Sequence, residues 1–233
     1  MSPDGPDSNR YAGWPANGKL FAWDNELLLV FAYVPSDDTP NDSFHPTGEG
    51  QSYTWSIRSL DGGQTWTDDP EQGAGLIPRR GAGKLTSPID FTDPELALMI
   101  QMTDSQTGPS RLIYSTDRGR TWTGYHQLDL PGGFDPIAAR SDYLIEDELT
   151  LRLFANAGAT KDEDGTTPHQ WITRDGGLSW ELLGRTGLDI PNLPEWVWSI
   201  MPATVKLSDG TLVQAARTKG SGRPFFNYHP VHR

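Results

Sequence analysis

The chain contains no cysteine among its 233 residues, which excludes disulfides and thiolate chemistry. No apolar run approaches the roughly 20 residues that a membrane-spanning helix requires. Cations are scarce, 19 Lys and Arg against 31 Asp and Glu, for a formal net charge of −12. They form no stripe, so no nucleic-acid partner is expected. The first eight residues, Met1 to Ser8, are polar and lack the apolar centre of a secretory signal, so the default expectation is a cytoplasmic location. No Gly-rich loop follows a strand, no Gly-x-Ser-x-Gly elbow occurs, and no His, Asp and Glu cluster has metal spacing. Neither metal nor cofactor is therefore expected.

Glycine, proline and tryptophan are plentiful, at 25, 19 and 9 residues. That composition suits many short strands joined by tight turns. One turn recurs three times, as Ser59-Leu60-Asp61-Gly62-Gly63-Gln64-Thr65-Trp66, Ser115 to Trp122 and Thr173 to Trp180. All three follow Ser/Thr-x-Asp-x-Gly-x-Ser/Thr-Trp, and Asp61, Asp117 and Asp175 are 56 and 58 residues apart. In each copy the carboxylate is suited to accept hydrogen bonds from the amides that follow it. Gly63, Gly119 and Gly177 supply a left-handed backbone, and Trp66, Trp122 and Trp180 have the area to anchor the turn on a sheet. Each copy follows a β-rich run, so it reads as a hairpin turn, and its aspartate is structural rather than catalytic.

A second pattern accompanies the first. Trp14-Pro15, Ser87-Pro88, Asp135-Pro136 and Met201-Pro202 place a proline at an expected strand start. An acidic turn and an apolar run follow in each case, as in Asn25-Glu26-Leu27, Pro94-Glu95-Leu96 and Asp147-Glu148-Leu149. Four strands in about 57 residues correspond to one propeller blade. The expected organisation is a disordered tail over 1–10 and a partial all-β propeller over 11–217. Its blades fall near 14–69, 83–130, 134–187 and 199–217, and an irregular tail covers 218–233.

The three turns resemble the Asp-boxes, or BNR repeats, of the sialidase (neuraminidase) superfamily. Leu112 to Asp117, Ile137 to Leu144 and Ser199 to Val205 are similar to bacterial exo-α-sialidase-like proteins. The resemblance implies a six-bladed propeller, of which about three and a half blades are present. It further implies a retaining glycoside hydrolase acting on sialic acid or a related acidic glycan, with a tyrosine nucleophile. Three arginines would clamp the sugar carboxylate. The position of the family's first arginine is Gly13 here. The alternative is a propeller that binds carbohydrate or protein without catalysis.

On that reading the site gathers where second strands pass to third and where blades join. Asp37, Asp38 and Glu195 are the catalytic candidates, and Arg140, Arg217, Asp135, His45 and Trp196 those for binding substrate. Asp104, Lys161 and Asp162 share such positions. Each of these residues reads equally as surface charge, and Ser36-Asp37-Asp38 as a solvated turn. Unpaired blade edges also give an expectation of homodimers.

Overall fold

A computed structural model describes residues 10–13, 18–35, 53–78, 80–104, 107–134, 137–158, 167–186, 198–220 and 223–231. Sixteen strands and one short 3-10 helix, Pro70–Gln72, make up the regular structure among them. The described residues group into two compact units. The first is Met1–Arg80 with Glu95–Met99 and Tyr114–Gly124, and the second Gly81–Pro94 with Ile100–Ile113 and Tyr125–Arg233.

In the first unit, β1 (Arg10–Gly13) and β2 (Lys19–Trp23) pair with successive halves of the long β3 (Glu26–Pro35). They share one edge of it, as a single interrupted strand would. β4 (Tyr53–Ser59) and β5 (Gly75–Ile77) complete the antiparallel sheet, so four strand rows lie side by side. β5 lies beyond residue 69, because the 3-10 helix intervenes after the turn and the chain rejoins β4 only at the Arg58–Thr67 bridge before it. Leu28 and Val30 of β3 are fully buried here.

β6 (Gly81–Lys84), β7 (Ala97–Asp104), β8 (Thr107–Ser115) and β9 (Tyr125–Gln127) form the next set of four. β10 (Ile137–Ile145), β11 (Leu151–Ala157), β12 (Thr167–Thr173) and β13 (Glu181–Arg185) form another. One pairing, Arg140 with Gln101, joins the two sets into an eight-stranded sheet. β6 is an outer strand parallel to β9, an arrangement that its Gly-Ala-Gly-Lys sequence does not signal. The proline-marked segment at Ser87-Pro88-Ile89, expected as a strand, is irregular. Its amides serve turns instead: Ile89 N–H donates to the Gly176 carbonyl at 3.0 Å and Phe91 N–H to that of Glu148 at 2.8 Å. The Asp90 carboxylate captures the Thr92 amide at 2.8 Å.

β14 (Trp198–Lys206), β15 (Leu212–Gly220) and β16 (Arg223–Val231) form a three-stranded antiparallel sheet. The expectation of an irregular tail from 218 is therefore corrected. β15 continues to Gly220, and residues 223–231 add an edge strand whose Pro224 and Pro230 are tolerated because an edge leaves amides without ladder partners. In the second unit Leu151, Leu153, Phe154 and Trp171 are fully buried, and Phe154 of β11 packs with Leu212 of β15.

The three repeated turns have one hydrogen-bond plan. The first residue's hydroxyl donates to the aspartate and accepts the glycine amide two residues beyond that aspartate, as Ser59 does at 2.8 Å for both bonds. Ser115 and Thr173 repeat it. The aspartate then accepts the amide and hydroxyl four positions on: Thr65 at 2.9 and 2.6 Å, Thr121 at 2.8 and 2.6 Å, Ser179 at 2.9 and 2.5 Å. The residue after each aspartate donates its amide to an acidic turn, Gly62 to Asn25, Arg118 to Glu95 and Gly176 to Leu149. The two sequence patterns are therefore joined by one backbone bond per repeat.

Candidate functional site

Arg140 lies on β10 where that strand loses register with β11, between Ala139 and Asp142. The next residue, Ser141, has φ of 57°, a left-handed conformation that serine seldom adopts. Bulges of this kind re-aim a side chain and are over-represented beside active sites. β14 has the same irregularity between Ile200 and Ala203, with Met201 at φ 58° and Pro202 tolerated in the gap.

Buried polar side chains tie these irregular strands to their neighbours. Ser141 is 6% exposed, and its Oγ accepts the Ile100 N–H and donates to the Ile100 C=O, both at 3.1 Å. Ser110 Oγ accepts the Ala139 N–H at 3.0 Å and donates to the Ile137 carbonyl at 2.7 Å. Asn156 of β11 does the same for β14, donating to the Ser199 carbonyl at 2.8 Å and accepting the Met201 N–H at 2.9 Å. Asp142 accepts the amide and hydroxyl of Thr204 at 2.9 and 2.8 Å. Thr204 Oγ1 also accepts from Gln214, and Gln214 Oε1 accepts from Thr186. Each bond satisfies a group that would otherwise be buried at a cost of about 1–3 kcal/mol.

Arg140 of β10 lies within electrostatic reach of Arg217 of β15. Arg217 stands opposite Ile200 at the β14 irregularity, and Arg140 stands opposite Gln101, whose Oε1 accepts the Tyr125 hydroxyl at 3.2 Å. Burial is the larger influence on the half-buried Arg140, and together with the positive charge of Arg217 it lowers that guanidinium's pKa below its ordinary value. The planar fork of a guanidinium group suits the two oxygens of a carboxylate.

Of the other sequence candidates, Asp37, Asp38, His45, Asp135, Lys161, Asp162, Glu195 and Trp196 lie outside the described residues, and Asp104 ends β7. Among the described candidates, Arg140 and Arg217 interact electrostatically. The sequence reading missed Ser141, Asn156 and Asp142, whose partners are 41 to 62 residues away. Among the described residues no group of three or more His, Asp or Glu could hold a metal ion. No helix there is long and apolar enough to cross a membrane.

The Asp61 carboxyl is held at about 2 by the Thr65 hydroxyl and amide and the Ser59 hydroxyl. Burial works upward on Asp117 and Asp175, but their turn hydroxyls and amides outweigh it and keep both below the ordinary range. A carboxylate held ionised by its own turn is a poor proton donor, and each of these three closes its turn through those bonds.

Strand layout and structural likeness together define the class: an all-β protein with the β-propeller fold. No known family and no curated relative matches the sequence. Among solved structures, the chain is similar to a Dyadobacter fermentans protein of unknown function. Identity is 17% and the TM-score 0.62, over 96% of this chain and 66% of that one. It is also similar to a Penicillium chrysogenum α-L-arabinanase complexed with arabinobiose, at 19% identity and TM-score 0.54, over 91% and 60% of the two chains. A GH93 α-L-arabinofuranosidase of Fusarium graminearum, likewise with arabinobiose, matches at 17% and 0.52, over 91% and 61%. The chain spans 60–66% of the length of these three structures.

Proposed function

We propose that the chain carries part of a glycoside-hydrolase propeller whose ligand is an acidic glycan, sialic acid or a close relative, bound through its carboxylate. The observation that supports this reading is that Arg140, which feels the charge of Arg217, lies at one of two strand irregularities fixed by buried hydrogen bonds, with Arg217 opposite the other. An anion bridging both guanidinium groups offsets their repulsion and adds charge-assisted hydrogen bonds. The likeness of the three turns to Asp-boxes supports the same class. Catalysis on this reading is assigned to Asp37, Asp38 and Glu195, with Asp135, His45 and Trp196 completing the sugar contacts.

A second reading is favoured by the arabinanase and arabinofuranosidase neighbours: a neutral arabinose-containing glycan bound on the same frame. Reporter glycosides separate the two. Wild-type protein is incubated with the methylumbelliferyl α-sialoside and, separately, with the α-L-arabinofuranoside. Fluorophore release from the sialoside, lost in Arg140→Gln, is the expected result. Release from the arabinofuranoside alone replaces the first reading with the second. Sialoside binding without release from either leaves a carbohydrate-binding propeller.

A further inference from the structure

We infer that Ser141 is the positioning residue for Arg140, a reading that rests on the proposed carboxylate site. Three observations carry it. Ser141 directly follows Arg140 and is the residue of the β10 irregularity whose backbone is left-handed. Its hydroxyl spans both the N–H and the C=O of Ile100 on β7, next to Gln101, which pairs with Arg140. It is 6% exposed, so water cannot readily take over either bond.

The physical consequence is specific. A left-handed non-glycine residue persists only where its surroundings over-determine it. Here a serine hydroxyl acts as donor and acceptor at once, and no apolar side chain of similar size does so. Without the hydroxyl, the Ile100 amide and carbonyl lose a buried partner and β10 is free to recover regular pairing with β11. The backbone that aims the side chain at 140 then changes. Asp142 holds β10 to Thr204 on the far side of the irregularity, so the strand stays in the sheet while the segment carrying Arg140 loosens.

The test uses the full chain with ¹⁵N-labelled arginine and the variants Ser141→Ala and Ser141→Gly. The alanine variant removes only the hydroxyl, and the glycine variant removes the whole side chain while keeping the left-handed backbone without strain. The Arg140 Nε–H resonance is assigned by its loss in Arg140→Gln. Wild type is expected to show that resonance shifted away from the exposed arginines and slow to exchange with solvent. Both Ser141 variants are expected to move it into the exposed group. In parallel, affinities for an α-sialoside and its carboxamide are measured. The preference for carboxylate is expected to fall about tenfold in both variants, the loss of one well-placed charged hydrogen bond. Affinity for the carboxamide should stay the same, whereas general loosening would weaken both ligands equally.

The outcomes separate the two claims. If wild type prefers the carboxylate, Arg140→Gln abolishes that preference and the Ser141 variants retain both it and the Arg140 resonance, the positioning role is overturned and the site stands. If wild type shows no carboxylate preference, but the Arg140 resonance collapses in both Ser141 variants, the positioning role stands and the proposed ligand does not. Should Ser141→Ala fail to fold, Ser141→Gly supplies the same comparison.

Discussion

Glu26→Gln should cost far more stability than a surface charge ordinarily does. Glu26 sits among three arginines, with Oε1 2.6 Å from Arg58 Nη1 and 2.8 Å from Arg120 Nη2, and Oε2 3.0 Å from Arg118 Nη1. The Arg58 side chain is 0% exposed and that of Glu26 11%. Arg58 spends its other amino group on the carbonyls of Gly73 and Arg118, at 3.1 and 2.9 Å, so Glu26 is its counter-charge. Removing one partner of a buried pair leaves an uncompensated charge, at about 3–5 kcal/mol. Gln keeps one oxygen to accept from Arg58, which puts the expected loss near the lower end, about 3 kcal/mol. Glu95→Gln is the control. Glu95 and Arg118 are 41% and 31% exposed, and exposed pairs contribute about 1 kcal/mol or less. Urea unfolding followed by tryptophan fluorescence reads both variants, since Trp23 lies 5.9 Å from Arg118. Equal losses below about 1 kcal/mol would refute the claim that Arg58 depends on Glu26.

The same group sets a pH signature. Burial works upward on Glu26, yet hydrogen bonding from Arg118 and the charges of Arg120 and Arg58 bring it below its ordinary 4.5. A depressed carboxylate stabilises the fold above the unfolded-state value, and that contribution disappears as pH falls through the folded value. The gap in stability between wild type and Glu26→Gln should therefore be constant above about pH 5 and shrink below 4.5.

Three further outcomes are expected. Gly119→Ala should destabilise by about 3 kcal/mol, because its Cβ would lie 2.4 Å from Leu28 Cδ2 at a φ of +78°. Gly133→Ala, at φ +73° with nothing within 4 Å, should cost only the strain of about 1–2 kcal/mol, and equal midpoints for the two in a thermal melt would contradict this. Asn156→Leu should lose about 2–3 kcal/mol in urea unfolding, since it removes the buried hydrogen bonds to the Ser199 carbonyl and from the Met201 amide together.

What could be read in the sequence was what neighbours along the chain decide. The Asp61, Asp117 and Asp175 turns close on hydroxyls and amides at most four residues away, so eight letters suffice to specify them. The acidic turns were visible too, but not that Asn25, Glu95 and Leu149 would receive an amide from the turn that follows. Two expectations failed near prolines, for different physical reasons. Pro88 precedes amides captured by other turns, and Pro224 and Pro230 sit on an edge that needs few donors. Arg140 and Arg217 were legible as cations on strands near the expected site. The residues that fix them were not, since Ser141 and Asn156 act on strands far away in the sequence and look like ordinary small polar residues there.

The central claim is that Arg140 and Arg217 recognise a carboxylate on a sugar. Its most direct test is calorimetric titration of wild-type protein with the α-methyl glycoside of sialic acid and with its carboxamide. The account predicts a carboxylate preference of about ten- to a hundredfold, the value of hydrogen bonds to a charged group. It also predicts that Arg140→Gln or Arg217→Gln alone removes most of that preference. Equal affinity for the two ligands, or a preference indifferent to both substitutions, would contradict it.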